Sequence, residues 1–180
     1  MALNSSIYKI NVSLSNLNTH YYDDFKLTVA KHPSENESRM MYRLLSFLYC
    51  AHEDLEFCKG LSSTDEPELW QKGHSGEIIQ WIELGLPTSK RIRQALGKSQ
   101  NVKVFTYHST KSKEWAQEVK SDLRNNKKLE AFQFEVVENG PIDKFVSKKM
   151  NLSCLLEDKM MYLGNDHERI GIQVLALSPE

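Results

Sequence analysis

The chain of 180 residues is predicted to be an α/β protein, a single domain with a mixed central sheet and flanking helices. Three observations predict it. Apolar residues alternate with polar ones near both ends of the chain, the signature of half-buried strands. Between Met40 and Leu48 they recur at helical spacing instead. In the middle, an apolar run, a short capped helical stretch and a second apolar run follow one another. That order is a βαβ unit, whose strands pair in parallel through a right-handed crossover.

Each element has its own signal. Tyr8, Ile10, Val12 and Leu14 alternate, and Phe25, Leu27 and Val29 repeat the pattern after turn formers at 16–19, giving an antiparallel pair. Ser34 with Glu37 three residues later reads as a capping box, opening a helix that runs to about Cys50. Residues 55–61 read as a short strand and 62–67 as a polar loop. The run within 77–86 is apolar on both sides, as a central strand is, and Pro87 ends it. Thr88 or Ser89 caps a crossover helix with Ile92, Ala95 and Leu96 inward, and Gly97 is its expected stop. A strand at 102–107 follows, then a helix over roughly 112–125 carrying Trp115, Val119 and Leu123 on one face. Phe132, Phe134 and Val136 alternate as a further strand. Pro141 suits the first turn of a short helix reaching 149. Residues 150–157 and 159–163 form a hairpin around Asp158, and 169–177 is a terminal strand.

Composition bounds the function. With 40% hydrophobic residues and a net charge of -1, the chain is not wholly disordered. No apolar run approaches the roughly 20 residues that span a bilayer, and the start lacks the basic and apolar segments of a signal peptide. A cytoplasmic protein with no membrane partner is expected. Three cysteines make no disulfide framework, and Cys50, His52 and Cys58 lack the paired spacing of a zinc site. No glycine-rich phosphate loop is present.

The small net charge hides a segregation. Residues 1–87 carry 7 Lys/Arg against 12 Asp/Glu, residues 88–128 carry 11 against 3, and residues 129–180 carry 5 against 9. A basic block of this kind is either an anion-binding face, with DNA or RNA as its partner, or a pair of solvated helices.

Glu83 ends the central strand, and Asp65 lies in the loop before it. Two carboxylates so placed can share a hard divalent cation, Mg2+ or Mn2+, which takes oxygen ligands. Such an ion activates water and stabilises charge on a phosphodiester. Sites in open α/β sheets gather at the carboxyl ends of parallel strands, where Glu83 falls. Lys59, beside Gly60, and Arg93, in the basic block, are candidate phosphate contacts. Arg39 either pairs with Glu35, four residues earlier, or lines the same cleft. Tyr107 and His108 follow the strand at 102–107, at the edge where a pocket is expected.

Several stretches carry a family likeness: His32-Pro33-Ser34-Glu35 with Arg39-Met40-Met41, then Asp65-Glu66-Pro67-Glu68 with Trp70, Trp81-Ile82-Glu83-Leu84-Gly85-Leu86-Pro87, and Phe105-Thr106-Tyr107. Over essentially its whole length the chain resembles the bacterial YaeQ family. That resemblance implies a variant of the PD-(D/E)XK, restriction-endonuclease-like, core, whose members mostly cut or repair DNA. It implies that Asp65 and Glu83 are the two acidic metal ligands. The third signature position, two residues after Glu83, is Lys in the superfamily and Gly85 here. The implied replacements are Lys90 and Arg91 on the crossover helix, although Arg stays protonated and is a poor proton-transfer group. Glu35 resembles the helix acid that some members aim into the site. The implied activity is a divalent-metal-dependent nuclease or phosphodiesterase acting on or binding nucleic acid. The alternative is a catalytically inactive nuclease-fold module that binds protein or nucleic acid.

Overall fold

The computed structural model describes residues 4–177. Its strands are β1 (Ser6–Asn16), β2 (Tyr21–Lys31), β3 (Leu55–Phe57), β4 (Leu69–Lys72), β5 (Ile78–Leu84), β6 (Ser99–Thr106), β7 (Leu129–Glu138), β8 (Lys149–Glu157), β9 (Met160–Gly164) and β10 (Arg169–Ala176). The helices are α1 (Glu37–Tyr49), α2 (Ser89–Lys98), α3 (Ser109–Glu118) and α4 (Lys120–Asn125), with 3-10 turns at Gly60–Ser62 and Ile142–Phe145. The class is mixed α/β. Among the described residues two compact units can be distinguished, one of residues 4–49 with 136–174 and one of 50–135 with 175–177.

In the first unit the strand order is β2-β1-β8-β9-β10. β1 pairs antiparallel with β2 and parallel with β8, while β8, β9 and β10 form an antiparallel meander. The alternation read from β1 is real: Tyr8, Ile10, Val12 and Leu14 are buried, as are Met150, Leu152, Cys154 and Leu156 on β8. α1 adds Met40, Met41, Leu44, Leu45 and Leu48, all without exposure. Each such side chain contributes about 1.5–3 kcal/mol of burial. Phe47 of α1 meets Phe25 of β2 edge-on at 5.1 Å between ring centroids.

The second unit runs β7-β6-β5-β4-β3. β5, β6 and β7 are parallel, and β4 and β3 extend the sheet antiparallel. α2 connects β5 to β6, and α3 with α4 connects β6 to β7, so the middle of the chain makes two successive βα crossovers. Their apolar residues share one core: Ile92 and Ala95 from α2, Trp115, Ala116 and Val119 from the second crossover, and Trp81, Val102 and Val104 from the strands.

Five details differ from expectation. Ser34 does not cap α1; Asn36 does, its Oδ1 accepting the Arg39 N–H at 2.8 Å, while Ser34 sits in a turn against the His32 ring. The reason is Glu35, which is buried and so cannot lie on a solvated first turn. α2 passes through Gly97 and ends at Ser99, whose N–H and hydroxyl both donate to the Ala95 carbonyl. The helix expected over 112–125 bends at Val119 (φ -97°, ψ 14°), which stays buried at the junction of α3 and α4. The helix expected after Pro141 is one 3-10 turn, because Lys149 onward is taken into β8 by its pairing with β1. β4 was not foreseen: four residues are too few for a periodicity, and it exists because Trp70 and Leu69 pair with Trp81 and Ile82.

Candidate active site at the end of β5

Glu83 is the penultimate residue of β5 and is only 7% exposed, a costly position for a charge. Two donors meet it. The Trp81 indole N–H, two residues back on the same face of the strand, donates to Oε1 at 2.7 Å. Arg91 Nε donates to the same oxygen at 2.6 Å. Thr88 caps α2 and accepts the Arg91 backbone N–H, so the cap fixes where the guanidinium starts. Arg91 then reaches on to the loop before β4, donating NH2 to the Glu66 carbonyl at 2.6 Å and NH1 to the Thr64 carbonyl. One arginine therefore joins the end of β5, the first turn of α2 and the 62–67 loop.

A second carboxylate sits beside the first. Glu68 is buried, and its backbone N–H donates to the Ile82 carbonyl at 3.1 Å, which brings it alongside the end of β5. The backbone of the 3-10 turn lies against its carboxylate: a Cβ on Gly60 (φ +50°) would stand 2.6 Å from Glu68 Oε2. Only glycine fits there on both counts. Burial pushes the Glu83 carboxyl above the ordinary carboxylate range and the Glu68 charge adds to the rise; the Trp81 and Arg91 bonds act the other way.

The other predicted residues fall as follows. Asp65 is exposed, between the two residues whose carbonyls hold Arg91, and its backbone N–H donates to Ser63 Oγ. Lys90 is exposed beside Arg91 in the first turn of α2. Lys59 is exposed, with its backbone N–H on Glu66 Oε2 at 3.3 Å. Arg93 pairs through Nε with the buried Asp122 of α4 at 3.0 Å while its side chain stays 68% exposed. Tyr107 stacks at a tilt on His108, 4.3 Å between centroids.

Glu35 and Arg39 belong to the first unit. The Glu35 carboxylate accepts Arg39 NH1 at 2.8 Å and both Nε and NH2 of Arg43 at 2.9 and 2.7 Å. Arg43 also donates to the Ala30 carbonyl, so this buried network ties α1 to β2.

Gly85, two residues after Glu83, has φ +111°, a backbone that L side chains rarely adopt. Its N–H donates to the Phe105 carbonyl at 2.8 Å, which fixes that turn. Arg91 brings a positive charge to this strand end.

Among the described residues, no three His, Cys, Asp or Glu side chains converge as a metal-binding group. Cys50, Cys58 and Cys154 are free, and burial pushes each thiol up to about 12. No helix of the described residues is long and apolar enough to cross a membrane.

Sequence reasoning quoted Glu68 within a motif without assigning it a role. Its place beside the end of β5 is set by the pairing of β4 with β5, which leaves no local signal in the sequence. Trp81, also quoted only within a motif, needs an acceptor for its N–H when buried, and Glu83 is that acceptor.

A family model described as "YaeQ protein" matches residues 1–174. The YaeQ proteins of Escherichia coli and Shigella flexneri are each 35% identical over 176 residues, covering 98% of this chain and 97% of theirs. Among solved structures, the YaeQ protein of Xanthomonas axonopodis pv. citri superposes with a TM-score of 0.91 at 26% identity, over 98% of this chain and 99% of that one. The Pseudomonas syringae YaeQ structure gives 0.86 at 27% identity, over 98% and 97%.

Proposed function

The chain belongs to the YaeQ family, and from that premise we propose that it is a divalent-metal-dependent phosphodiester hydrolase of the PD-(D/E)XK kind acting on nucleic acid. The observation that carries the reading is the pair of buried carboxylates, Glu68 and Glu83, at one strand end beside the start of a basic helix. The donor set suits Mg2+ or Mn2+. It is all hard oxygen, and Mg2+ is habitually held by one or two carboxylates with water and substrate phosphate completing its shell. Burial disfavours the ionised form of Glu83, so a further positive charge beside it is favourable.

Glu83 and Glu68 would hold the cation, and Asp65, exposed on the neighbouring loop, would add to the negative field around it rather than ligate it directly. A bound ion supplies polarisation of a phosphoryl oxygen. Trp81 keeps the Glu83 carboxylate turned toward α2. Arg91 binds the phosphate, a guanidinium being suited to that and not to taking a proton from water. Lys90, Arg93 and Lys59 are the flanking phosphate contacts, and the basic crossovers of 88–128 guide the backbone of DNA or RNA. Glu35 serves as the acid of its own arginine network in the first unit.

A second reading has a specific observation behind it. Arg91 already neutralises Glu83, and Gly85 replaces the signature lysine. On that basis the module binds nucleic acid without cutting it. Titration with Mn2+, followed by water-proton relaxation, and cleavage of single- and double-stranded DNA and RNA decide between the two. The hydrolase reading expects Mn2+ binding and cleavage in the wild type and loss of both in Glu83→Ala and Glu68→Ala. Salt-dependent nucleic-acid binding with no Mn2+ effect and no cleavage favours the silent module. Cleavage unchanged in Glu83→Ala overturns this site.

A further inference from the structure

β2 forms one margin of the first unit's sheet, and among the described residues no strand borders its outer side. Its register with β1 is unbroken over eleven residues, and it contains no proline. A flat edge of that length is a template for another strand unless something blocks it. Charged side chains are the usual block, and β2 carries Asp23, Asp24, Lys26 and Lys31. Their order along the strand makes them complementary to themselves.

Which backbone groups face outward follows from the pairing. Lys9 and Leu17 donate their N–H groups to Lys148 and Leu156, so odd-numbered residues of the β1 segment hydrogen-bond toward β8 and even-numbered ones toward β2. Because Ile10 stands against Leu27 and Asn16 against Tyr21, the odd residues of β2 bond to β1. The even residues therefore turn N–H and C=O to the open edge. Two contacts agree: the Ala30 carbonyl is taken by Arg43 rather than by β1, and the Asp24 N–H by the Asp23 carboxylate, an exposed local bond that a second strand would displace.

We infer that β2 is the interface of a twofold dimer in which the strand pairs antiparallel with β2 of a second copy, centred on Phe25. Only outward-facing residues exchange backbone hydrogen bonds, so even residues stand opposite even residues. Three such registers are the ones to compare. Centring on Asp24 sets Asp24 against itself, and centring on Lys26 sets Lys26 against itself. Centring on Phe25 sets Asp24 against Lys26 of the copy twice, and Tyr22 against Thr28 twice. Opposite charges directly across a strand pair stabilise it and like charges oppose it. The interface is isologous, as a closed dimer requires. The uncovered apolar surface agrees with a second copy: Tyr22 is 57% exposed, and Phe25 and Leu27, at the margin of the core, are only half-buried.

Sedimentation velocity over a range of concentrations tests it, using wild type, Asp24→Lys, Lys26→Asp, and an equimolar mixture of the two variants. The wild type is expected to dimerise reversibly. Each variant alone places like charges opposite each other twice and should dissociate about tenfold more readily. The mixture restores two opposite-charge pairs per dimer and should associate as the wild type does, which a mere folding defect in either variant would not produce. A wild type that remains monomeric at all concentrations overturns the inference. So does a dimer indifferent to both substitutions, or a mixture that stays as weak as its components.

Discussion

Arg91 Nε lies 2.6 Å from Oε1 of Glu83, and the same guanidinium holds the carbonyls of Thr64 and Glu66. A helix, a strand end and a loop thus depend on one half-buried ion pair. Removing either partner of such a pair leaves the other charge uncompensated, which is far more damaging than replacing both.

The Glu83 carboxyl titrates above its ordinary value of 4.5, chiefly through burial. Between the ordinary and the raised value the folded chain holds more protons than the unfolded one, so stability falls as pH rises through that window. Glu83→Gln has no such group. Thermal unfolding of both proteins across the window should show the wild type losing stability, relative to the variant, as pH increases. A difference that stays flat contradicts the assignment. Binding of Mn2+, which competes with the proton, should strengthen over the same window.

A lysine placed two residues after Glu83, as the proposed hydrolase reading would ask, should bring no gain in activity. Gly85→Lys forces a side chain onto a backbone with φ +111°, and such strain costs of order 1–3 kcal/mol. Denaturant unfolding should report that loss, and cleavage assays should report no gain over the wild type. Higher activity with unchanged stability would show that the turn adapts to the side chain.

In the first unit, Arg43→Met leaves Glu35 buried with Arg39 on one oxygen and removes the tie to Ala30. The loss should be about 3–5 kcal/mol by chemical denaturation. Replacing Glu35 as well, by Gln, should recover part of it. Additive losses would mean that the pair is not coupled.

The start of α1 separates two cap assignments. Asn36→Ala should cost about 1 kcal/mol, because the Arg39 N–H loses its acceptor. Ser34→Ala should change stability by less than about 0.5 kcal/mol, as surface substitutions usually do. The reverse ranking would reinstate the capping box.

What the sequence could reveal depended on the range of the interactions. The alternation of Tyr8 to Leu14 and the apolar run around Trp81 record burial directly, so β1 and β5 were legible. The crossover through α2 was legible because Thr88 and Ile92 carry local signals. The cap of α1 was misread because Glu35 is buried by Arg43, eight residues away, and local spacing cannot see that demand. β4 and Glu68 were missed for a related reason. Four residues have no period, and their structure is dictated by the partner strand. The acid on β5 was found from its position, whereas its partners Trp81 and Arg91 emerge only once strand and helix are in place.

The three thiols have a practical side. Displaced to about 12, they hold almost no thiolate at neutral pH. Maleimide or iodoacetamide reagents should therefore bypass the native cysteines under gentle conditions. A cysteine engineered onto an exposed position, such as that of Lys90, would then be a selective anchor for a fluorophore without first stripping the others from the chain.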